Sequence, residues 1–413
     1  MTSVADKPAP KPAMATAALL PQLVVFVSVS LIGVAMYTPS LPAIAEAFAT
    51  PVAVVQLTMT VYLVGFAAAQ IVVGALSDRF GRRPVMIAGY ALFVAASIVC
   101  ALAGDIDLLI GARLFQALGA SVGIVVARAI VRDRTSAKES ARYMAYIGMA
   151  AGLTPMLSPM LGGIVQVGFG WRGVFFAMVA LGVAAFAAAV FVLRESHPPE
   201  RRIGAGPREL TQGYLGLLRE RVFIAYTATG GMVTAAFFIY LAAGPVVMIG
   251  EAGLRPDQYG FVALCMPGGY ITGNFLSSRI LPRIGIHRGI VAGNLVSVLG
   301  ASAFLAIGLA GHFSIPAFMI PMAVVGFGNG ITVPAAFAGA VGANPRLAGT
   351  ASGLTGFLQF AFSALVNPLA GFARHGSFLE MAAMMFALCF AGMVVYRVLL
   401  PRAGPIPRAR ESL

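Results

Sequence analysis

The stretch Gly74-Ala75-Leu76-Ser77-Asp78-Arg79-Phe80-Gly81-Arg82-Arg83 sets one carboxylate among three guanidinium groups. Groups of this kind make and break ion pairs rather than covalent bonds. Gly74 permits close helix approach and Gly81 a tight reversal. Asp78 can accept hydrogen bonds from the open N–H groups at a helix N-terminus, favoured by the helix dipole. Arg79, Arg82 and Arg83 can also anchor the loop to anionic headgroups, and both roles are expected together. A second charge, Arg113, opens the run Arg113-Leu114-Phe115-Gln116-Ala117-Leu118-Gly119-Ala120 inside apolar sequence. An Arg at the centre of a lone membrane helix costs about 2.5–3.5 kcal/mol on insertion scales, so it faces a cavity or a partner. Snorkelling past Leu108 is the alternative. Arg128 and Arg132 lie one helical turn apart on one face, where they can pair with Asp133 or Asp78 or meet headgroups. Gly148, Gly152, Pro155, Pro159, Gly162 and Gly163 punctuate another apolar stretch, and each proline there removes a helical N–H. No Walker loop, metal-ligand cluster or nucleophile–base set is legible, so neither ATP hydrolysis, a bound cofactor nor enzymatic catalysis is expected.

These residues need elements to hold them, and the charge distribution supplies those elements. The chain of 413 residues is 59% hydrophobic and 10% charged, where soluble domains carry roughly 25% charged residues. No charge falls between Lys11 and Glu46, Glu46 and Asp78, Arg83 and Asp105, Arg142 and Arg172, or Arg172 and Arg194. The same holds from Arg221 to Glu251, Asp257 to Arg279, Arg346 to Arg374 and Glu380 to Arg397. The gap from Arg288 to Arg346 holds two spans, broken near Gly311 and Pro316, and Asp107 to Arg128 holds one with Arg113 inside it. With about 20 residues needed to cross the hydrocarbon core, the total is twelve spans. Buried helices of a soluble protein are shorter and keep a polar face, and a β-barrel would alternate; these runs do neither.

The net charge of +13 follows topology rather than nucleic acid, for which no partner role is expected. Arg79, Arg82, Arg83, Arg132, Arg134, Lys138, Arg142, Arg201, Arg202, Arg208, Arg219, Arg279, Arg283 and Arg288 fall in loops on one side, against Arg172, Arg255 and Arg374 on the other. The positive-inside bias puts both termini in the cytoplasm. Cys100, Cys265 and Cys389 all lie in spans, so no disulfide framework is expected. The apolar stretch after Lys7 and Lys11 is too long for a signal-peptide core and is taken as span 1. The expected organisation is a tail (1–15), a six-span bundle (16–193), a charged cytoplasmic linker (194–221), a second bundle (222–400) and a tail (401–413). The halves echo one another: Tyr37 and Pro42 in span 1 match Tyr240 and Pro245 in span 7, and the turn after span 2 matches that after span 8. Parallel repeats place a site at the midplane between halves that rock.

The Gly74–Arg83 stretch resembles the G-x-L-x-D-R-x-G-R-R/K loop of the major facilitator superfamily at every fixed position. The resemblance implies an all-α integral membrane fold of twelve helices in two pseudo-symmetric six-helix bundles. It also implies that Asp78 latches a cytoplasmic gate against the start of span 11, near Leu347 to Gly349. Arg113, Gln116 and Gly119 are similar to the family's R-x-x-Q-G-x-G motif, with Ala117 where Gly is usual. Gly152, Pro155, Pro159, Gly162 and Gly163 look like its antiporter motif in span 5, which implies export. Ala127-Arg128-Ala129-Ile130-Val131-Arg132-Asp133, Trp171-Arg172 and Met36-Tyr37-Thr38-Pro39-Ser40-Leu41-Pro42 together resemble the Bcr/CflA group of drug-resistance exporters. What the resemblance implies is a monomeric, proton-driven exporter of small amphipathic drugs or metabolites in the bacterial inner membrane. An importer of the same fold, and more remotely a membrane receptor or enzyme, are the alternatives.

One departure shapes these expectations. The group usually carries Asp just before the Met-Tyr of span 1, and here Ala35 stands there. Proton coupling then falls to Glu46, Asp78 or Asp133, or is absent. A cavity with Arg113 and no acid is expected to favour neutral or anionic amphiphiles over lipophilic cations. Its expected walls are Met36, Tyr37, Arg113, Gln116, Met149, Phe237, Phe238, Tyr240, Met266, Asn329 and Gln359, flexible and aromatic groups that suit promiscuous binding.

Overall fold

Apolar sequence in hydrocarbon leaves backbone N–H and C=O groups no partner but their own helix. The computed structural model describes residues 16–135, 137–198, 207–312, 314–344, 347–368 and 378–400, and contains no strand among them. The expected tails, residues 199–206 of the linker with Arg201 and Arg202, Arg346, Arg374 and the Met149 side chain lie outside the described residues.

Span 1 is α1 (Thr16–Ala35), a 3-10 turn (Thr38–Ser40) and α2 (Leu41–Ala47). The span runs past both prolines to Ala47, because Pro39 and Pro42 each sit in the first turn of a new helical segment, where no N–H is missed. Spans 2 and 3 are α3 (Val52–Phe80) and α4 (Arg82–Leu102), joined at Gly81, whose φ of 99° needs a glycine. Span 4 breaks at Ser121 into α5 (Ile106–Ala120) and α6 (Val122–Arg134). The Ser30 hydroxyl of α1 bonds the Ala120 carbonyl at the break, an insertion into the helical ladder of the sort that kinks helices. Spans 5 and 6 share α7 (Ala137–Ala187), reversed at the non-helical Gly170 and extended by a π-helical turn (Ala188–Val192).

The charged linker carries α8 (Pro207–Arg219), whose Leu217 is buried against Leu347, Leu354 and Tyr396. Span 7 is α9 (Arg221–Pro245), and span 8 is α10 (Pro256–Val262) with α11 (Cys265–Ile284). Spans 9 to 12 are α12 (Ile286–Leu309), α13 (Ile315–Ala343), α14 (Ala348–Val366) and α15 (Phe378–Leu399). Among the described residues nine helical stretches are long and apolar enough to cross a membrane. One of them, Tyr146–Val192, holds both spans 5 and 6, and the interrupted α10–α11 and the shorter α14 complete twelve.

The two bundles repeat more faithfully in backbone than in sequence. Gly285, between α11 and α12, has the φ of 82° that matches Gly81. A Cβ on Gly119 would lie 2.6 Å from the Gly89 oxygen, and one on Gly328 2.5 Å from the Gly293 oxygen, so spans 3 and 4 cross as spans 9 and 10 do. Tyr37 reaches Thr58 of span 2, and Tyr240 reaches the Ala263 carbonyl in span 8. The bundles meet along α3 with α14 and α7 with α10.

Candidate functional site

At the basic end of the first bundle, Arg82 is only 1% exposed. A buried guanidinium must be paired. Its Nη1 donates to Ser77 Oγ (2.8 Å) and Asp78 Oδ1, and its Nε to Asp133 Oδ2 (2.9 Å). Both acids are thereby occupied by Arg82. The expected pairing of Arg128 and Arg132 with them is corrected, and neither has an acid partner among the described residues. Among the described residues the hydrogen bond that Asp78 makes is to Arg82, with none to the start of α14 and none capping a helix. The N-terminus of α4 is capped by Glu195, which follows span 6. Its carboxylate accepts from the backbone N–H groups of Arg82 (2.9 Å) and Arg83 (3.1 Å), and of Ser196 and His197. Burial acts to raise the Glu195 pKa, but the N–H groups of His197, Arg82, Arg83 and Ser196 outweigh it and hold the carboxyl below its ordinary value. Arg83 Nη2 donates to the Val190 carbonyl (2.6 Å) and Arg134 to the Arg194 carbonyl (2.7 Å). The loop is thus tied to the end of span 6, while Arg79 stays exposed beside the Phe80 ring.

Deeper in the bundle, Arg113 is fully buried rather than snorkelling. Its guanidinium lies 4.1 Å from the ring centroids of both Tyr37 and Tyr62. Nη1 donates to the Gly33 carbonyl (2.8 Å) and to Gln116 Oε1, and Gln116 Nε2 donates to Ser97 Oγ (2.7 Å). Arg113 and Gln116 of span 4 together therefore join it to spans 1, 2 and 3. Arg113 Nε and Nη2 have no acceptor among the described residues. Ala117, where the motif has Gly, faces Gly65 of α3, which supplies the missing room.

The seam between the bundles is sealed at the end far from the basic loops. Gln56 Nε2 donates to the Ala242 carbonyl (3.1 Å), and Asn367 Nδ2 to Thr60 Oγ1 (3.2 Å). Phe360 packs on Phe66 across the seam (4.9 Å between centroids) and on Phe238 (5.7 Å). Span 5 presses on its neighbours through the expected glycines. A Cβ on Gly162 would overlap the Met36 carbonyl of span 1, and one on Gly163 the Pro256 carbonyl of span 8. Gly152 faces the Tyr270 ring, and α7 stays helical through Pro155 and Pro159.

Of the residues expected to wall a central cavity, Tyr37, Arg113, Gln116, Tyr240 and Asn329 pack on partners in their own bundles, and Met36 and Met266 are buried. Helical spacing of large side chains reads alike for a core and for a cavity. Phe238 and Gln359 do lie at the seam; Phe237 is half-buried against Tyr240. Tyr62, Ser97, Glu195, Gln56, Thr60 and Asn367 were not singled out from sequence. Gln56 and Thr60, amide and hydroxyl inside an apolar run, offered the only local signal.

The family model described as Major Facilitator Superfamily matches residues 23–368. The chain is 29% identical over 371 residues to an uncharacterized MFS-type transporter, YdgK, of Bacillus subtilis (strain 168), covering 87% of this chain and 90% of that protein. It is 28% identical over 369 residues to the multidrug resistance protein MdtL of Shigella flexneri serotype 5b, covering 89% and 92%. Among solved structures, a bacterial homolog of the human lysosomal transporter Spinster, inward-facing and unoccupied, superposes with a TM-score of 0.74 at 16% identity, over 96% of this chain and all of that one.

Proposed function

The chain belongs to the Major Facilitator Superfamily, a family of membrane transporters, and from that premise we propose that it exports small amphipathic drugs or metabolites across the bacterial inner membrane by alternating access. The observation that carries this reading is the asymmetry of the seam. The far end is closed by the Gln56–Ala242 and Asn367–Thr60 bonds and the Phe66–Phe360 contact. At the basic end Asp78 pairs with Arg82, and in this reading that pairing leaves the Asp78 latch free of α14. With the basic end in the cytoplasm, a far end held shut by these contacts supports an inward-facing state, the one that loads an exporter.

Export is further supported by span 5, whose glycines set it against both bundles, and by the multidrug name of a relative. The proton gradient is the energy source in this reading. Among the described residues no carboxylate pairs with Arg113, and Ala35 replaces the usual acid, so in this reading the proton falls to Asp78 or Asp133, both paired with Arg82. Neutral or anionic amphiphiles suit the site better than lipophilic cations, and the transporter works as a monomer.

The test is a susceptibility panel in an efflux-deficient host, paired with chloramphenicol uptake into inverted vesicles. Expected are raised resistance and accumulation that a protonophore abolishes. Accumulation in right-side-out vesicles instead would establish an importer, and strong efflux of cationic dyes would overturn the substrate preference.

A further inference from the structure

Arg128 on α6 lies six residues inside the basic end of span 4, which closes at Arg134, about 9 Å at 1.5 Å per residue. Its half-buried side chain has no hydrogen-bond or ion-pair partner among the described residues, since Asp78 and Asp133 are both held by Arg82. The Arg128 guanidinium lies 5.6 Å from the ring centroid of Phe337 on α13, in the opposite bundle. Arg132, exposed and also without an acid, stands one turn nearer the basic end on the same face. The result is a half-buried cation, an aromatic face on the opposite bundle and a second, exposed cation one turn nearer the basic end. Of the two roles expected for Arg128, an ion pair with Asp133 or Asp78 and a headgroup contact, the first is taken up by Arg82.

We infer that Arg128 and Phe337 form a subsite for the head of an amphiphilic organic anion, the carboxylate on the guanidinium and the apolar body against the ring. This deepens the transport reading above and rests on it. Five guanidinium donors suit a planar carboxylate, and Arg132 raises the local anion concentration at the entrance. The subsite also bears on the cycle. Closing the basic end over a bare guanidinium buries an unpaired charge, which is costly; a bound carboxylate removes that cost, so the loaded protein closes more readily than the empty one.

An anionic lipid headgroup offers the same chemistry, so the experiment separates the two sources. The full-length protein, purified in detergent free of anionic lipid, is titrated with tritiated 2-naphthoate and its uncharged analogue 2-naphthamide. The wild type is expected to prefer the carboxylate about tenfold, the scale of one charge-assisted hydrogen bond. Arg128→Gln should erase that preference with amide affinity unchanged, which also certifies the fold, and Arg128→Lys should keep part of it. Equal binding of both probes by wild type, binding of neither, or a preference that survives Arg128→Gln overturns the subsite. Displacement of naphthoate by phosphatidylglycerol at substoichiometric amounts would assign Arg128 to lipid and overturn it as well. Binding is read without a gradient, so absent energised efflux would sink the export reading while leaving this result standing.

Discussion

A guanidinium stacked between two phenol rings, as Arg113 is between Tyr37 and Tyr62, gains cation–π attraction on both faces and loses water on both. It has no carboxylate partner, and two of its nitrogens lack acceptors. Replacing an imperfectly satisfied buried charge by apolar groups of similar size is often neutral or stabilising. The combined change Arg113→Met with Gln116→Leu removes the charge and the amide it satisfies. Thermal stability in detergent should hold or rise, while transport falls at least about tenfold, the trade expected where a strained group serves function. Stability and activity that fall together would reduce Arg113 to a structural tie. Asp78, Arg82, Asp133 and Glu195 differ in kind: each polar group there has its partner, so that cluster is bistable only through exchange of partners.

At the scale of elements, span contacts are set by small residues. Gly162 packs on the Met36 carbonyl, whereas Gly168, in the same helix, has nothing within 4 Å of where a Cβ would stand. Valine carries the same helix-propensity penalty at both sites, so the pair isolates packing. Gly162→Val should cost about 1–3 kcal/mol, as overpacking does, and appear as a lower thermal midpoint; Gly168→Val should cost much less. Equal midpoints would mean that span 5 does not bear on span 1. The break of span 4 at Ser121 has a comparable local cause, the Ser30 hydroxyl at the Ala120 carbonyl. That break separates the segment bearing Arg113 from the one bearing Arg128.

For the whole molecule, the decisive feature is a seam bonded at one end. Thr60 and Asn367 touch across it at 3.2 Å. A Thr60→Cys, Asn367→Cys pair should therefore form a disulfide under mild oxidation in this state. Oxidised protein should bind substrate from the basic side yet fail to transport, and reductant should restore transport. Full transport by the cross-linked protein would show that the far end need not open. The proposed alternating access requires two states within a few kcal/mol of one another.

Charge-free runs and loop arginines determined the number of spans, since hydrocarbon admits only self-satisfied helices. The motif at Gly74–Arg83 likewise located the basic turn, because Gly81 alone suits its backbone. Sequence could not say which acid each arginine meets. Arg82 takes both Asp78 and Asp133, and Glu195 arrives from span 6, because ion-pair choice depends on through-space distances that no local spacing encodes. Nor could periodicity separate core from cleft: Tyr37 and Tyr240 face inward within their bundles, while Phe360 faces the other bundle. Each bundle buries one side of every span against its own helices and offers the remainder to lipid or to the other bundle. Only the tertiary arrangement decides which of those two a given face meets.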